Sequence, residues 1–147
     1  MNPIDVKLTI YVHPEVLDDL SWCERKTNYP GLGEEISSVL RLLAVQGKLS
    51  GEYPLRYLPQ HLQACSFHAY IFLPRLNRGK IHGPRVAYTV EDNIARILYI
   101  GGHKDSRYED QKSFAVLFAE RYELDIAQFG VYNPMTKELP QFDTNNE

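Results

Sequence analysis

The run Ile97-Leu-Tyr-Ile100 is apolar at every position, so a strand through it carries water-avoiding side chains on both faces. Such a strand belongs inside a sheet rather than at its edge. Just before it, Val86-Ala-Tyr-Thr-Val90 alternates in character, the period-two pattern of a half-buried strand. Glu91-Asp-Asn93 supplies turn chemistry between the two runs, which predicts an antiparallel hairpin whose second strand is central.

The rest of the chain supplies elements to surround that hairpin. Val6, Leu8, Ile10 and Val12 alternate with polar residues and predict a first strand. Pro14 suits the first turn of a helix running from Glu15 to about Lys26, with Val16, Leu20 and Cys23 on one stripe. Ile36, Val39, Leu40, Leu43 and Ala44 follow amphipathic helical spacing, and Gly47 supplies a C-terminal stop. Residues 48–66 hold Gly51, Pro54 and Pro59 without a clear period, which predicts a long connection with one short strand around Leu55 to Leu58. Strand signals return from Phe67 to Leu73. Asp105 or Ser106 is expected to cap a last helix whose buried stripe is Phe114, Leu117, Phe118 and Tyr122. From Phe129 the chain turns polar and reads as a tail, ordered only if something holds it.

This order predicts an α+β domain over residues 1–122, with a C-terminal extension or tail over 123–147. Its sheet is expected to be twisted and mainly antiparallel, with the N-terminal helical hairpin packed on one face and a helix at the C-terminal end. The chain has 147 residues, enough to bury a core without disulfide staples. Cys23 and Cys65 sit among apolar residues at no framework spacing and read as reduced. No apolar run approaches a membrane span, and Met1 to Tyr11 alternates instead of forming a leader, so the expected compartment is the cytoplasm, without membrane contact.

A formal net charge of −3 argues against coating nucleic acid by bulk electrostatics, but the charge is unevenly spread. Between Tyr53 and Val90 there is no Asp or Glu, while Arg56, Arg75, Arg78, Lys80 and Arg85 fall there with His61, His68 and His82. A one-sign span flanked by acidic segments is a local docking surface for an anion such as phosphate. It also lacks a carboxylate to complete a metal site, and its histidines have no ligand-like spacing, so neither a metal nor a cofactor is expected.

Within that frame one string has a recognisable spacing. Gly83-Pro-Arg85-Val-Ala-Tyr88-Thr-Val-Glu-Asp92 is followed by the apolar strand, then by Gly102-His103-Lys104 and, five residues after the histidine, Tyr108. This resembles the RelE/ParE superfamily, toxins of bacterial type II toxin–antitoxin systems, whose members carry a G-x-R-hydrophobic-x-Y strand and a G-H-(R/K) segment closed by a tyrosine. The resemblance covers roughly residues 4–122. It implies a RelE-like fold and a metal-independent endoribonuclease, an mRNA interferase that cleaves mRNA, commonly in the ribosomal A site, by attack of the ribose 2′-OH on its own 3′-phosphate. The implied partners are a cognate antitoxin, mRNA and the ribosome.

That chemistry needs a base, cations for the charge growing on phosphorus, and an acid for the leaving oxygen. Arg85 offers a bidentate fit to phosphate oxygens, or else pairs with a carboxylate at a strand end. His103 follows two glycines, where backbone approaches a ligand closely, and its imidazole exchanges protons near neutrality; the alternative is a structural histidine. Tyr108 stacks on a base or donates to a phosphate oxygen, or else fills core space. Lys104, Arg78, Lys80 and Arg75 suit phosphate contacts, against plain solvation.

Two other functions stay open: a ParE-like inhibitor of DNA gyrase acting through protein contacts, and a non-catalytic RNA- or protein-binding domain, which the acidic charge favours. Register decides whether Arg85 and His103 cooperate. A two-residue loop at Asp92-Asn93 pairs Arg85 with Ile100 and sends the two residues to opposite faces, unless a bulge at Gly101 or Gly102 intervenes. A three-residue loop pairs Arg85 with Tyr99 and puts both on one face.

Overall fold

The computed structural model describes residues 5–26, 29, 31–73, 83–102 and 110–142. Strand β1 (Thr9–Val12) leads into helices α1 (Pro14–Lys26) and α2 (Leu32–Gln46). A two-residue strand β2 (Tyr53–Pro54) and a single-turn helix α3 (Gln60–Gln63) precede β3 (Ser66–Tyr70). Then come β4 (Pro84–Glu91), β5 (Ile94–Gly102), α4 (Gln111–Tyr122) and β6 (Gly130–Val131).

Local chemistry sets several of these boundaries. His13 precedes α1, and its Nδ1 accepts from the Glu15 backbone N–H at 3.0 Å, satisfying a donor the helix leaves open. Gly47 ends α2 in the left-handed region with φ 83°, its N–H closing on the Leu43 carbonyl. The expected cap of the last helix is corrected: Asp110 takes that place, its carboxylate accepting from Lys112 N and Ser113 N. The short strand expected near Leu55 lies earlier, at Tyr53–Pro54.

The strands form one sheet in the order β2-β3-β4-β5-β1-β6. β3, β4 and β5 make an antiparallel meander that contains the expected hairpin. β1 runs parallel to β5, because the α1–α2 hairpin separates it from the meander and acts as a crossover, so the sheet is mixed. β5 is central, between β4 and β1, and both of its faces are covered. On one face α1 and α2 bury Val16, Leu20, Ile36, Leu40 and Leu43 against Ile10, Val12, Val86, Tyr88, Ile97 and Ile100. On the other, α4 lays Phe114, Ala115 and Phe118 on Ala87, Leu98 and Tyr99.

A bulge in β5 reconciles those two coats. Ala87 pairs with Tyr99 but Tyr88 with Ile97, which leaves Leu98 as an extra residue. Leu98 and Tyr99 therefore both point toward α4, while Ile97 and Ile100 turn to the hairpin side.

β1 is last paired at Val12 with Ile97, and among the described residues no strand pairs with β5 beyond that point on this side. A buried ion pair takes its place. Arg121 of α4 donates to both Asp19 carboxylate oxygens at 2.6 and 3.1 Å and to the Leu98 carbonyl at 2.9 Å. Asp19 of α1 also accepts from Ile100 N at 3.3 Å. The extension after Tyr122 is held too: β6 pairs with β1, and buried Tyr132 donates its hydroxyl to the Ser37 carbonyl at 2.6 Å.

Candidate functional site

Of the residues given catalytic or phosphate-binding roles, Arg85 is the one among the described residues. His103, Lys104, Tyr108, Arg75, Arg78 and Lys80 lie outside the described residues.

Arg85 is the second residue of β4, opposite Tyr70 of β3 on one side and Gly101 of β5 on the other. Its neighbour Val86 is buried under the helical hairpin, so strand alternation turns Arg85 to the opposite face. There its Nη2 donates to the Tyr70 hydroxyl at 2.8 Å, and its Cζ stands 4.3 Å from the Tyr70 ring centre. A guanidinium seated this way is held by cation–π attraction as well as by a hydrogen bond.

Three more aromatic groups share this face. His68 lies two residues before Tyr70 and opposite Tyr53 of β2, with the two rings edge to face at 4.6 Å. Tyr53 is also 6.1 Å from Tyr70. Beyond β3, Ile71 and Leu73 are buried under the hairpin, which turns Phe72 outward with 72% of its surface exposed. Helix α4 covers the β5 side of this face, and the β2–β3 side keeps its aromatic groups half-buried or open.

Among the described residues of this face, the protonation states leave neutral rings around the Arg85 guanidinium. Burial first, and the Arg85 charge second, hold the His68 pKa at about 4, so the ring is neutral at pH 7. Burial, then the neighbouring Tyr70 hydroxyl, raise the Tyr53 pKa, so its phenol stays protonated.

The hairpin combines the two-residue loop with a bulge, which lies at Leu98 and not at Gly101 or Gly102. Asp92 and Asn93 have φ of 50° and 66° and form a two-residue turn with both residues left-handed, so Glu91 pairs with Ile94. That loop alone would set Arg85 opposite Ile100. The bulge at Leu98 moves the partner on by one, to Gly101. The parity that would have separated Arg85 from this end of β5 is thereby reversed, although neither glycine bulges.

The glycines themselves serve packing. A Cβ on Gly101 would stand 2.1 Å from the hydroxyl of fully buried Tyr99, and one on Gly102 would stand 3.0 Å from the Gly83 carbonyl oxygen. Tyr88, the second marked residue of the β4 string, is also structural: it is buried on the hairpin side, and its hydroxyl donates to Glu52, which also accepts from Leu49 N. Burial first and that hydrogen bond second push its pKa up.

A second polar group occupies the other end of the α4 face. Tyr122 donates to Glu91 at 2.5 Å, Arg96 stands 3.5 Å from the same carboxylate, and its guanidinium lies over the Tyr122 ring. The Glu91 hydrogen bond is the main reason the Tyr122 pKa is pushed up to about 12. These contacts tie α4 to the hairpin turn and expose no nucleophile. The Cys65 thiol nearby is held protonated, chiefly by burial and then by Glu91. Among the described residues no three His, Cys, Asp or Glu side chains converge as metal ligands, and no helix is long and apolar enough to cross a membrane.

Sequence reasoning missed Tyr53, His68, Tyr70 and Phe72 as a group. The signal was present: His68, Tyr70 and Phe72 alternate with Ala69, Ile71 and Leu73, the period of one strand face. No protein-family model matches the chain, and no curated protein matches it.

Proposed function

We propose that the protein is the toxin of a bacterial type II toxin–antitoxin pair, a metal-independent endoribonuclease of the RelE type acting on mRNA. The observation that carries this reading is Arg85, seated on an aromatic sheet face within the G-x-R-hydrophobic-x-Y string that first suggested the family. The strand–helix–helix–meander–helix order of the chain supports it as well. In this reading Arg85 grips two oxygens of the scissile phosphate and opposes the charge that grows as the ribose 2′-OH attacks. His103 moves the proton, Tyr108 orients the substrate, and Lys104, Arg75, Arg78 and Lys80 hold flanking phosphates. The cognate antitoxin blocks this face, and the ribosome presents the message in the cytoplasm.

His68 is not the proton carrier of this scheme. A base with a pKa of about 4 takes up a proton too weakly to serve well near neutrality. The net charge of −3 favours a second reading, a non-catalytic RNA- or protein-binding domain that uses the face without cleavage.

The test is induced expression of the wild type, Arg85→Ala and His103→Ala, with growth and mRNA integrity followed together. The nuclease reading expects arrest with mRNA decay in the wild type and neither in the variants. Equal arrest in all three strains sinks it and points to poisoning by protein contact, as in a ParE-like gyrase inhibitor. Absence of arrest in the wild type favours the non-catalytic domain.

A further inference from the structure

We infer that the outward face of β2, β3 and the residues just after β3, with Tyr53, His68, Tyr70 and Phe72 near Arg85, is a stacking surface for unpaired bases of a single-stranded RNA. The inference rests on the RNA-directed part of the reading above and not on cleavage.

Ring surface open to solvent carries the first step. Tyr53, His68, Tyr70 and Phe72 share one face, with the Tyr53 ring at 84° to His68 and 64° to Tyr70 and the Arg85 guanidinium over the Tyr70 ring. Phe72 and Tyr53 are the exposed members of the group. An exposed ring stacks only on a base whose face is free, which a single strand supplies and a duplex does not. In an A-form duplex the base faces are hidden, and such a ring finds only ribose and phosphate.

Exposure and charge carry the second step. Isolated exposed aromatics are ordinary on a protein surface, but here Phe72 at 72% and Tyr53 at 39% exposure flank the half-buried Tyr70 and His68 on one face. The same stretch of chain, 53–90, holds five Lys/Arg and no acid in a protein of net charge −3. A ligand with flat apolar faces joined by anionic links matches both properties, and base–aromatic stacking with a guanidinium beside it is how sequence-tolerant single-strand sites are built. Neutral His68 fits this use, because it adds a ring to the group without a second charge against Arg85.

The experiment measures binding of the full-length protein to a fluorescein-labelled 2′-O-methyl oligoribonucleotide, alone and annealed to its complement, by fluorescence anisotropy. The 2′-O-methyl group removes the attacking hydroxyl, so binding is read without cleavage. The single strand is expected to bind at least about tenfold more tightly than the duplex, with Phe72→Ala weakening it by roughly tenfold and Phe72→Trp restoring it. Phe72 is mostly exposed, so its replacement leaves the fold intact. Equal affinity for single strand and duplex, or unchanged binding by Phe72→Ala, overturns the inference even if the wild type degrades mRNA in cells. Binding of neither strand also overturns it and assigns the face to a protein contact. Conversely, single-strand binding that depends on Phe72 in a protein that leaves mRNA intact sustains the inference while the nuclease reading falls.

Discussion

Two arginines reach the same sheet, and the protein treats them in opposite ways. Arg121 is sealed at 5% exposure between α1, α4 and β5, where a carboxylate takes two of its N–H groups and a backbone carbonyl a third contact. Arg85 is half-buried near the far side of β4, seated on a phenol ring and hydrogen-bonded to its neutral hydroxyl. In the first case the charge closes a gap in a strand ladder. In the second the guanidinium lies against a ring on a face where Phe72 and Tyr53 are exposed, the face we propose for a ligand. A charged residue in a sheet is thus told apart by what its partners do with the charge, and burial alone does not decide it.

The largest expected effect breaks the sealed side. Arg121→Ala removes the guanidinium that meets both oxygens of the buried Asp19 carboxylate and that donates to the Leu98 carbonyl, so unfolding in urea should show a loss of about 3–5 kcal/mol. Stability within 1 kcal/mol of wild type would show that the pair does not hold α4 to the sheet. Arg85→Ala, by contrast, should act on RNA first and on stability little.

Gly101→Ala sharpens the boundary between the two regions. A methyl group there collides with the hydroxyl of buried Tyr99, and overpacking of this kind costs about 1–3 kcal/mol. If Gly101 instead served close approach of a ligand, RNA binding would fall while the denaturation midpoint stayed put.

The smallest effect separates two histidines by pH. Burial first and the Arg121 charge second hold His13 at a pKa of about 4, and its Nδ1 must stay unprotonated to accept from Glu15 N. The unfolded imidazole titrates near 6.5, so the unfolded chain binds the proton first. Stability present above pH 6.5 is therefore lost as the pH falls toward 4, on the order of 1 kcal/mol by pH 5 for this group. His13→Asn keeps a capping acceptor without the titration and should show a smaller drop between urea midpoints at pH 7.5 and pH 5. An equal drop would assign the pH dependence to His68, whose pKa is shifted the same way by burial and Arg85.

Much of the architecture was legible because it is written in short periods. The stripes Val16-Leu20-Cys23 and Ile36-Leu40-Leu43 are buried where helical spacing puts them, and Gly47 ends α2 as its freedom at positive φ allows. The doubly apolar run at 97–100 is in the central strand, since a strand with two apolar faces must be covered twice. The cap of α4 was misread because several short polar residues precede that helix, and only the geometry selects Asp110. Tyr132 and β6 were passed over because a two-residue strand has no period to detect. At the site, Arg85 was found from a spacing, whereas the aromatic group was overlooked in a stretch whose charge and strand content drew the reading.

What the sequence determined by itself is therefore the set of elements and their inward faces, because residues three or four apart on a helix and two apart on a strand carry that information locally. The tertiary structure decided which of them meet. The bulge at Leu98 arises because α4 and the hairpin compete for the two faces of β5, and it alone sets Arg85 opposite Gly101. The Asp19–Arg121 pair joins residues 102 positions apart to fill the place where β1 ends. Phe72 and Tyr53 stay open because α4 covers β5 and stops short of β2 and β3. Each of these follows from contacts between distant segments, which no local pattern encodes.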